Sequence, residues 1–367
     1  MNILYLTNHL NIGGITSYVL TLATGLKKRG HNVYIASSGG ALLSRFTAEG
    51  IIYIPIPIRT KQEVSLKILF SMFKLSGFIK QNNINLAHSN SRTTQVLACL
   101  LQRRLGIPHI STCHGFFKKK FFRKIFPCWG KKVIAISESV KEHLIKDFRV
   151  DEKNIVIIHN GIDIERFREP RTEDRGPRKK NLGLGDGPVV GIVARLSDVK
   201  GHIYLIEAMA QVLKNIPDAQ LLIVGDGKMK QELLSLTLRL GIEKSVFFIP
   251  SVLDTQEVLS LMDIFVMPSL KEGLGLALME AMARGLAVIG SDIGGIRSLI
   301  KDGLNGLLVK PADAASLSNA ILELLQDEDR AKSLGEAARV FIKENFSQEK
   351  MVLKTEEVYL ECVGAKD

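Results

Sequence analysis

The chain has 367 residues, of which 46% are hydrophobic and 24% charged, and its formal net charge is +11. This length exceeds the size at which one hydrophobic core stops growing, so we expect two globular domains. No stretch approaches the roughly 18 apolar residues of a membrane-spanning helix, and no basic segment of a signal peptide precedes the first strand. The cysteines lack the spacing of a zinc or disulfide framework and are expected to be reduced, as in a cytosolic protein.

The charge is unevenly distributed. Residues 1–168 contain 25 lysines and arginines against 9 acidic residues, whereas the remainder contains 24 against 29. A basic first half suggests an anionic partner, which could be a membrane surface, a nucleic acid or an acidic glycan. The equally weighted alternative is that solvated lysines only keep the protein soluble.

The first half alternates between apolar strands and helices. An apolar run at 3–6 is followed by a loop with Gly13 and Gly14, a helical pattern at 17–28 and a second strand at 33–36. A strand, helix and strand in this order predict a parallel sheet. The glycine turn does not match GxGxxG, which argues against a dinucleotide oxidoreductase. The alternation continues through predicted strands at 51–54, 86–88, 110–113, 133–136 and 155–158.

Three histidines, His88, His114 and His159, stand at the carboxyl ends of predicted strands, where doubly wound sheets bind ligands. This position favours a functional role for them. For His114 the alternative is a strand-end histidine that only bonds its own loop.

Residues 166–188 are polar and rich in glycine and proline, which is typical of a linker. A second alternation of strands and helices begins at 189. The predicted organisation is therefore a first domain at 1–165, a linker at 166–188, a second domain at 189–345, and a C-terminal helix at 346–367 that packs back on the first domain. The fold class is α/β, with two Rossmann-like doubly wound parallel sheets that face each other across a cleft.

Residues 268–285 form the most informative stretch. An apolar strand ends at Pro268, a loop holds Glu272, Gly273 and Gly275, and a helical pattern at 276–284 follows. A glycine loop before a helix presents backbone N–H groups and the positive end of the helix dipole to a phosphate. Two cations on another loop of the second half, Arg195 and Lys200, would complete a diphosphate site, although they could be an ordinary surface pair.

These motifs resemble the family-4 retaining glycosyltransferases of the GT-B fold. The resemblance runs in chain order over nearly the whole chain and rests on Gly13-Gly14, 159–163 (HNGID), 194–201 (ARLSDVKG), 224–227 (VGDG), 272–280 and 305–313 (NGLLVKPAD). It implies sugar transfer from a nucleotide-diphosphate sugar, with UDP favoured over GDP, to a glycan or lipid-linked acceptor. The implied setting is cell-envelope polysaccharide or lipopolysaccharide synthesis.

The resemblance also implies roles for individual residues. Arg195 and Lys200 would bind the diphosphate, Glu280 the ribose hydroxyls and Glu272 the donor sugar. Backbone amides at Gly273, Leu274, Gly275 and Leu276 would approach the phosphates or sugar, Gly13 and Gly14 would close on the diphosphate from the other domain, and His114 would be the active-site histidine. His114 and Glu272 are thus the catalytic candidates.

No cofactor is implied, and no metal, because no DxD pair stands at a predicted strand end, where metal-dependent glycosyltransferases hold their ion. Glu272 is the candidate if retention proceeds through a carboxylate nucleophile. Since the resemblance assigns Glu272 to sugar hydroxyls, we favour front-face transfer, in which the leaving phosphate helps to deprotonate the acceptor.

Two positions depart from the family pattern. Where relatives often have His-x-His, the chain has His88-Ser89-Asn90, so the second histidine is absent. Where a proline and a valine usually follow the helix, the chain has Leu286-Ala287-Val288. The first departure concerns the acceptor side more than the donor side.

The segment 116–126 is basic and aromatic. On a helical wheel one half carries apolar residues, namely Phe117, Phe121, Phe122, Ile125 and Phe126. The other half carries Lys119, Lys120, Arg123 and Lys124, while Phe116 and Lys118 are out of place. This pattern is typical of a helix at a membrane interface. The helical pattern at 64–80 adds Lys67 and Lys74. The alternative is a core-facing helix with a solvated basic side. We expect the chain to be cytoplasmic. If the segment 116–126 binds lipid, we expect the chain to lie peripherally on the inner face of the cell membrane.

Two other functions remain open. A nucleotide-sugar epimerase has the same two-domain form but needs no acceptor. A nucleic-acid-binding protein is suggested only by charge, and the sequence has no matching motif. We therefore expect no nucleic-acid partner.

Overall fold

The computed structural model describes residues 1–60, 62–63, 65–118, 123, 125–167 and 175–364. It divides into two compact units. The first unit contains Met1–Gly161 and the segment from Gln348 onward, and the second unit is Ile162–Ser347. The stretch 166–188, predicted as a linker, contains the helix Arg175–Asn181. Residues 168–174 of that stretch lie outside the described residues.

The first unit contains a parallel sheet whose described strands run in the order β3-β2-β1-β4-β5-β6-β7. Its central strands are apolar and buried on both faces, as parallel sheets require. Ile3 and Tyr5 of β1 pack into one core cluster and Leu4 and Leu6 into another, so both faces are covered. The strands are β1 Asn2–Leu6, β2 Asn32–Ser37, β3 Ile52–Pro55, β4 Leu86–Ser89, β5 His109–Cys113, β6 Lys132–Ala135 and β7 Ile155–Ile157.

Helices cover this sheet, and local sequence signals set their ends. The hydroxyl of Ser137 accepts a hydrogen bond from the Val140 backbone N–H at 3.4 Å and so caps the helix that begins at Glu138. The described helices before residue 161 are α1 Gly14–Lys28, α2 Leu43–Ala48, α3 Leu66–Gln81, α4 Arg92–Leu105 and α5 Glu138–Phe148.

The second unit repeats the architecture, with described strands in the order β10-β9-β8-β11-β12-β13, all parallel. The strands are β8 Val189–Val193, β9 Gln220–Val224, β10 Val246–Ile249, β11 Ile264–Met267, β12 Ala287–Ser291 and β13 Leu307–Val309. The helices are α6 Arg175–Asn181, α7 His202–Val212, α8 Lys230–Arg239, α9 Thr255–Leu259, α10 Leu276–Arg284, α11 Gly294–Arg297, α12 Ala314–Gln326 and α13 Glu328–Asn345. Two doubly wound parallel sheets confirm the predicted α/β class.

The helix α14, Gln348–Gly364, returns to the first unit. Its first residue, Gln348, donates from Nε2 to the Thr21 carbonyl on α1 at 2.7 Å. Farther along, Glu356 accepts from Arg29 at 2.7 Å, and the Tyr359 hydroxyl bonds the Tyr5 hydroxyl at 2.7 Å. This helix therefore contributes both to the surface and to the buried interior of the first unit.

The segment 116–126 is only partly described, because Lys119, Lys120, Phe121, Phe122 and Lys124 lie outside the described residues. Arg123, predicted on the exposed basic side, is buried instead: it pairs with Glu63 at 3.6 Å and stacks over the Phe117 ring at 4.4 Å. The prediction for Arg123 is therefore wrong, because the Glu63 carboxylate and the Phe117 ring stabilise its guanidinium in a buried position. Within the described ranges, no helix is long and apolar enough to cross a membrane.

Candidate active site

Two loops at neighbouring strand ends of the second unit are locked together. Strands β8 and β11 are hydrogen-bonded neighbours. Beyond them, Leu270 N–H donates to the Val199 carbonyl at 2.8 Å. Gly201 has φ +71°, and a Cβ at this position would lie 1.9 Å from the Pro268 carbonyl oxygen, so only glycine fits. The loop that carries Lys200 is thereby fixed beside the loop that carries Glu272.

Lys200 and Glu272 form an ion pair at this junction. Lys200 Nζ contacts Glu272 Oε2, and the two side chains are 20% and 14% exposed. The other carboxylate oxygen, Oε1, accepts from the Gly273 N–H at 3.2 Å. Both oxygens of Glu272 are therefore engaged, and Lys200 is held at a defined position by its acidic partner.

The helix α10 begins directly after this pair. Its first turn contains no acidic residue, and no side chain caps its N-terminal N–H groups. Leu274 is almost fully buried, so it can offer a ligand only its backbone, whereas Leu276 is partly exposed. Uncapped N–H groups and the positive end of the helix dipole favour an anion here.

Arg195 supplies a second cation on the loop after β8. Its side chain is exposed, and within the described ranges it makes no hydrogen bond or ion pair. An unpaired guanidinium can bind a phosphate without first breaking an internal contact.

Glu280 lies on α10, one turn beyond its start. Burial raises the pKa of Glu280 to about 7, and a hydrogen bond with Thr255 and the nearby charge of Arg166 oppose that rise. The carboxyl group is therefore part protonated near neutral pH, unlike an exposed glutamate.

In the first unit, His114 follows β5 directly and is half-buried. Its Nε2 lies 3.0 Å from Asn90 Oδ1, and the Tyr18 ring meets it edge-on with centroids 4.7 Å apart. Burial lowers the pKa of His114 to about 3, so the ring is neutral at physiological pH. A neutral imidazole here is suited to hydrogen bonding rather than to binding an anion.

The other two strand-end histidines have structural partners. His88 is completely buried within β4, where Nδ1 lies 2.5 Å from the Tyr359 hydroxyl and Nε2 lies 2.7 Å from the Thr112 hydroxyl. His159 follows β7 and places Nδ1 2.9 Å from the Ile136 carbonyl. His88 is thus a core residue with distant partners, and the structure does not support the functional role that its strand-end position predicted.

Gly13 precedes α1 in the first unit. Its φ of +156° is a conformation that favours glycine, and a Cβ added there would meet no atom within 4 Å. The helix that starts at Gly14 has no side-chain cap and no acidic residue in its first turn. The amide end of α1 is therefore open to an anion.

The structure brings Lys200, Glu272 and the start of α10 together, with Arg195 and Glu280 on the same loop and helix. Sequence reasoning missed Asn90 and Tyr18 as partners of His114; the available signal was that Asn90 directly follows a strand. Among the described residues, no group of three or more His, Cys, Asp and Glu side chains is arranged to hold a metal ion.

Comparison with known proteins identifies the family. The profile of Glycosyltransferase Family 4 matches residues 12–166, and that of Glycosyl transferases group 1 matches 174–341. The chain is 30% identical over 318 residues to the Escherichia coli UDP-Gal:alpha-D-GlcNAc-diphosphoundecaprenol alpha-1,3-galactosyltransferase, covering 82% of this chain and 81% of that protein.

Two solved structures resemble the whole chain. A glycosyltransferase from Rickettsia africae has a TM-score of 0.87 and 26% identity, covering 100% of this chain and 99% of that one. Anabaena HepE in complex with UDP-glucose has a TM-score of 0.88 and 22% identity, covering 98% and 100%. None of these relatives supports the epimerase alternative. The chain belongs to the family-4 glycosyltransferases and has the GT-B fold.

Proposed function

We propose that this glycosyltransferase moves a sugar from a UDP-sugar to a lipid-linked acceptor in cell-envelope polysaccharide or lipopolysaccharide synthesis, with retention of configuration and without a metal ion. The Escherichia coli relative is named for a UDP-galactose donor and a diphosphoundecaprenol-linked acceptor, and HepE was solved with UDP-glucose. These names support the donor and the acceptor class.

The locked Lys200–Glu272 pair beside the uncapped start of α10 is the observation that carries the proposal. When the bond to the anomeric carbon breaks, negative charge grows on the leaving diphosphate. Lys200, Arg195 and the α10 amides would stabilise that charge where it develops. Since Lys200 and the α10 amides are held in place before substrate arrives, they need little reorganisation during the reaction.

Glu272 is proposed to bind donor-sugar hydroxyls rather than to attack the anomeric carbon. Its oxygens are occupied by Lys200 and by the Gly273 N–H, which lowers its availability as a nucleophile. We therefore favour front-face transfer, with a leaving phosphate oxygen taking the acceptor proton.

The remaining roles follow the family resemblance. Glu280 would bind the ribose, Gly13 and Gly14 the diphosphate, and His114 would hydrogen-bond the sugar. The backbone at Gly273, Leu274, Gly275 and Leu276 would line the donor.

The direct test is transfer by the purified protein. A panel of UDP-sugars and GDP-sugars is incubated with a diphosphopolyprenol-linked sugar in the presence of EDTA, and the product linkage is read by NMR. We expect transfer from a UDP-sugar with the anomeric configuration retained. Inversion, dependence on an added divalent metal, or conversion of the nucleotide sugar without acceptor would each contradict the proposal.

A lipid-linked acceptor requires access to a membrane, and the helix α3 offers a suitable surface. Its large exposed apolar residues recur at one-turn spacing and include Phe70 and Phe73, which are 61% and 58% exposed; Leu66 and Leu69 complete the stripe. The opposite side of the helix is buried in the core.

Basic residues border the stripe. The helix α3 contains three lysines and no acidic residue, and the Arg104 guanidinium lies 5.0 Å above the Phe73 ring. An apolar stripe beside cations fits an anionic lipid surface, because the rings enter the headgroup layer while the lysines meet the lipid charge. We assign the proposed membrane contact to this face of α3.

The test is co-sedimentation with phosphatidylglycerol vesicles and with phosphatidylcholine vesicles. Wild type should prefer the anionic vesicles, and Phe70→Ser with Phe73→Ser should weaken that binding by about tenfold or more. The matched control is Leu238→Ser with Leu304→Ser, since these leucines are equally exposed in the second unit. Unchanged binding by the phenylalanine variant, or a dimer that this variant disrupts, would contradict the assignment.

A further inference from the structure

Asn90 directly follows β4 and is the direct neighbour of His114. Strands β4 and β5 pair in parallel, with Ser89 opposite Ser111, so both strands run to the same edge of the sheet, where Asn90 meets His114. Asn90 N–H donates to the Leu6 carbonyl at 3.1 Å, which fixes its backbone against β1. The position of the amide side chain is therefore set by three adjacent strands.

The amide makes one polar contact and leaves another group unused. Oδ1 lies 3.0 Å from His114 Nε2, while Nδ2 is buried without a partner among the described residues, in a side chain that is 2% exposed. A buried N–H without a partner is costly, so an oxygen from a bound molecule is expected to satisfy it. The unused donor lies directly beside the proposed active-site histidine.

Since a carbonyl oxygen can only accept, the contact makes Nε2 the protonated nitrogen of His114. The other nitrogen, Nδ1, then carries a lone pair, and it has no hydrogen-bond partner in the described part of the chain. Tyr18 packs edge-on against the ring, and its hydroxyl is 3.2 Å from that of Thr112, which restricts rotation of the imidazole. The ring thus offers one defined acceptor.

We infer that Asn90 is a positioning residue, which fixes His114 as the Nε2–H tautomer so that Nδ1 accepts a hydrogen bond from a substrate hydroxyl, and that Asn90 Nδ2 donates to a second substrate oxygen. The inference rests on the proposed role of His114. An uncharged amide would thus both orient the ring and bind substrate.

Ring ¹⁵N spectra test the proposed tautomer of His114, and steady-state kinetics test the contribution of Asn90 to the rate. Ring ¹⁵N spectra of histidine-labelled protein, with His114 assigned from His114→Ala, should show Nε2 protonated and Nδ1 unprotonated in wild type. Asn90→Ala should mix the tautomers and lower kcat about 10- to 100-fold with little change in KM for the donor. Asn90→Asp keeps an acceptor for Nε2–H but lacks the Nδ2 donor, so it should retain the tautomer and still lose rate, whereas Asn90→His should recover part of it.

The matched control is Ser89→Ala, which removes a hydrogen bond from the preceding residue to a different histidine, His109, at 2.9 Å. It should leave the His114 tautomer and the rate near wild type. A wild-type His114 protonated on Nδ1, or an Asn90→Ala variant with unchanged tautomer and rate, would overturn the inference. If His114→Ala keeps full activity, the proposed role of His114 fails, whatever the spectra of Asn90 variants show.

Discussion

The strand ends of the two units carry opposite chemistry. In the first unit they hold neutral polar groups, namely His114, Asn90 and the buried His88, whereas in the second they hold Arg195 and the Lys200–Glu272 pair. The overall charge runs the other way, because residues 1–168 are strongly basic and the remainder is slightly acidic. Net charge therefore does not point to the proposed anion site. The proposal rests instead on loop geometry and helix termini, while the basic excess of the first half lies partly on surfaces such as α3.

The largest expected effect comes from removing the charges of the second unit. Lys200→Ala and Glu272→Gln should each lower the transfer rate by about 10³-fold or more, because the developing diphosphate charge or the donor sugar loses its partner. Initial rates measure this loss, and a melting temperature within about 3 °C of wild type shows that the fold survives. The control is Lys228→Ala, which removes an exposed lysine 3.5 Å from Asp198. Full activity in either Lys200→Ala or Glu272→Gln would contradict the proposed role of this charged pair in the second unit.

A smaller effect is expected at Glu280, the one carboxyl of the second site whose pKa is raised, to about 7, by burial. If the ionised form binds the ribose, the affinity of wild type for the donor should rise between pH 6 and pH 8. The affinity of Glu280→Gln should not change over this range, and at pH 8 it should be about tenfold weaker than that of wild type. Calorimetric titration with a UDP-sugar measures both slopes. Parallel pH profiles would show that Glu280 does not contact the donor.

The raised pKa of Glu280 also predicts that the stability of the fold depends on pH. The folded chain holds the Glu280 proton more tightly than the unfolded chain, so this stabilisation is present below about pH 4.5 and is lost as the pH rises to about 7. Glu280→Gln should therefore melt at a higher temperature than wild type at pH 8, with a smaller difference at pH 4.5. Equal differences at both pH values would contradict the assigned burial effect.

The smallest effect on catalysis is expected from the buried network of the first unit. Tyr359→Phe removes the hydroxyl that bonds Tyr5 and His88, and it should lower the free energy of unfolding by about 1–3 kcal/mol. Denaturant unfolding measures this loss, and the transfer rate should change less than about twofold. Tyr53→Phe is the control, because its partly exposed hydroxyl bonds only the Ser37 carbonyl, at 3.2 Å. A large loss of rate would mean that the network acts on His114 through Thr112.

Short-range patterns in the sequence predicted most of the fold. Apolar runs of four to six residues separated by glycine and helical patterns predict parallel strands locally, and the predicted start of the second alternation at 189 coincides with the start of β8, Val189–Val193. The alternation also implies that the loops after the strands lie at one edge of the sheet, since parallel strands direct their carboxyl ends to one edge. Lys200 and Glu272 could therefore be expected at the same edge, whereas the pairing of β8 with β11 that brings them together is known only from the structure.

What escaped prediction depends on residues far apart in the chain. The burial of Arg123 requires Glu63, and the structural role of His88 requires Tyr359, 271 residues away. The contact between Asn90 and His114 depends on the exact pairing of β4 with β5. No local pattern encodes such partners, because each residue alone fits both an exposed and a buried environment.

The return of helix Gln348–Gly364 to the first unit has a consequence for synthesis on the ribosome. Residues 162–347 form the second unit as one continuous stretch, so they can fold as soon as they emerge. The first sheet, by contrast, waits for Tyr359 while about 190 further residues are translated, or about 10 to 40 seconds at typical rates. During that time the face of the nascent sheet around Tyr5 and His88 lacks the cover that Tyr359 gives it in the folded unit.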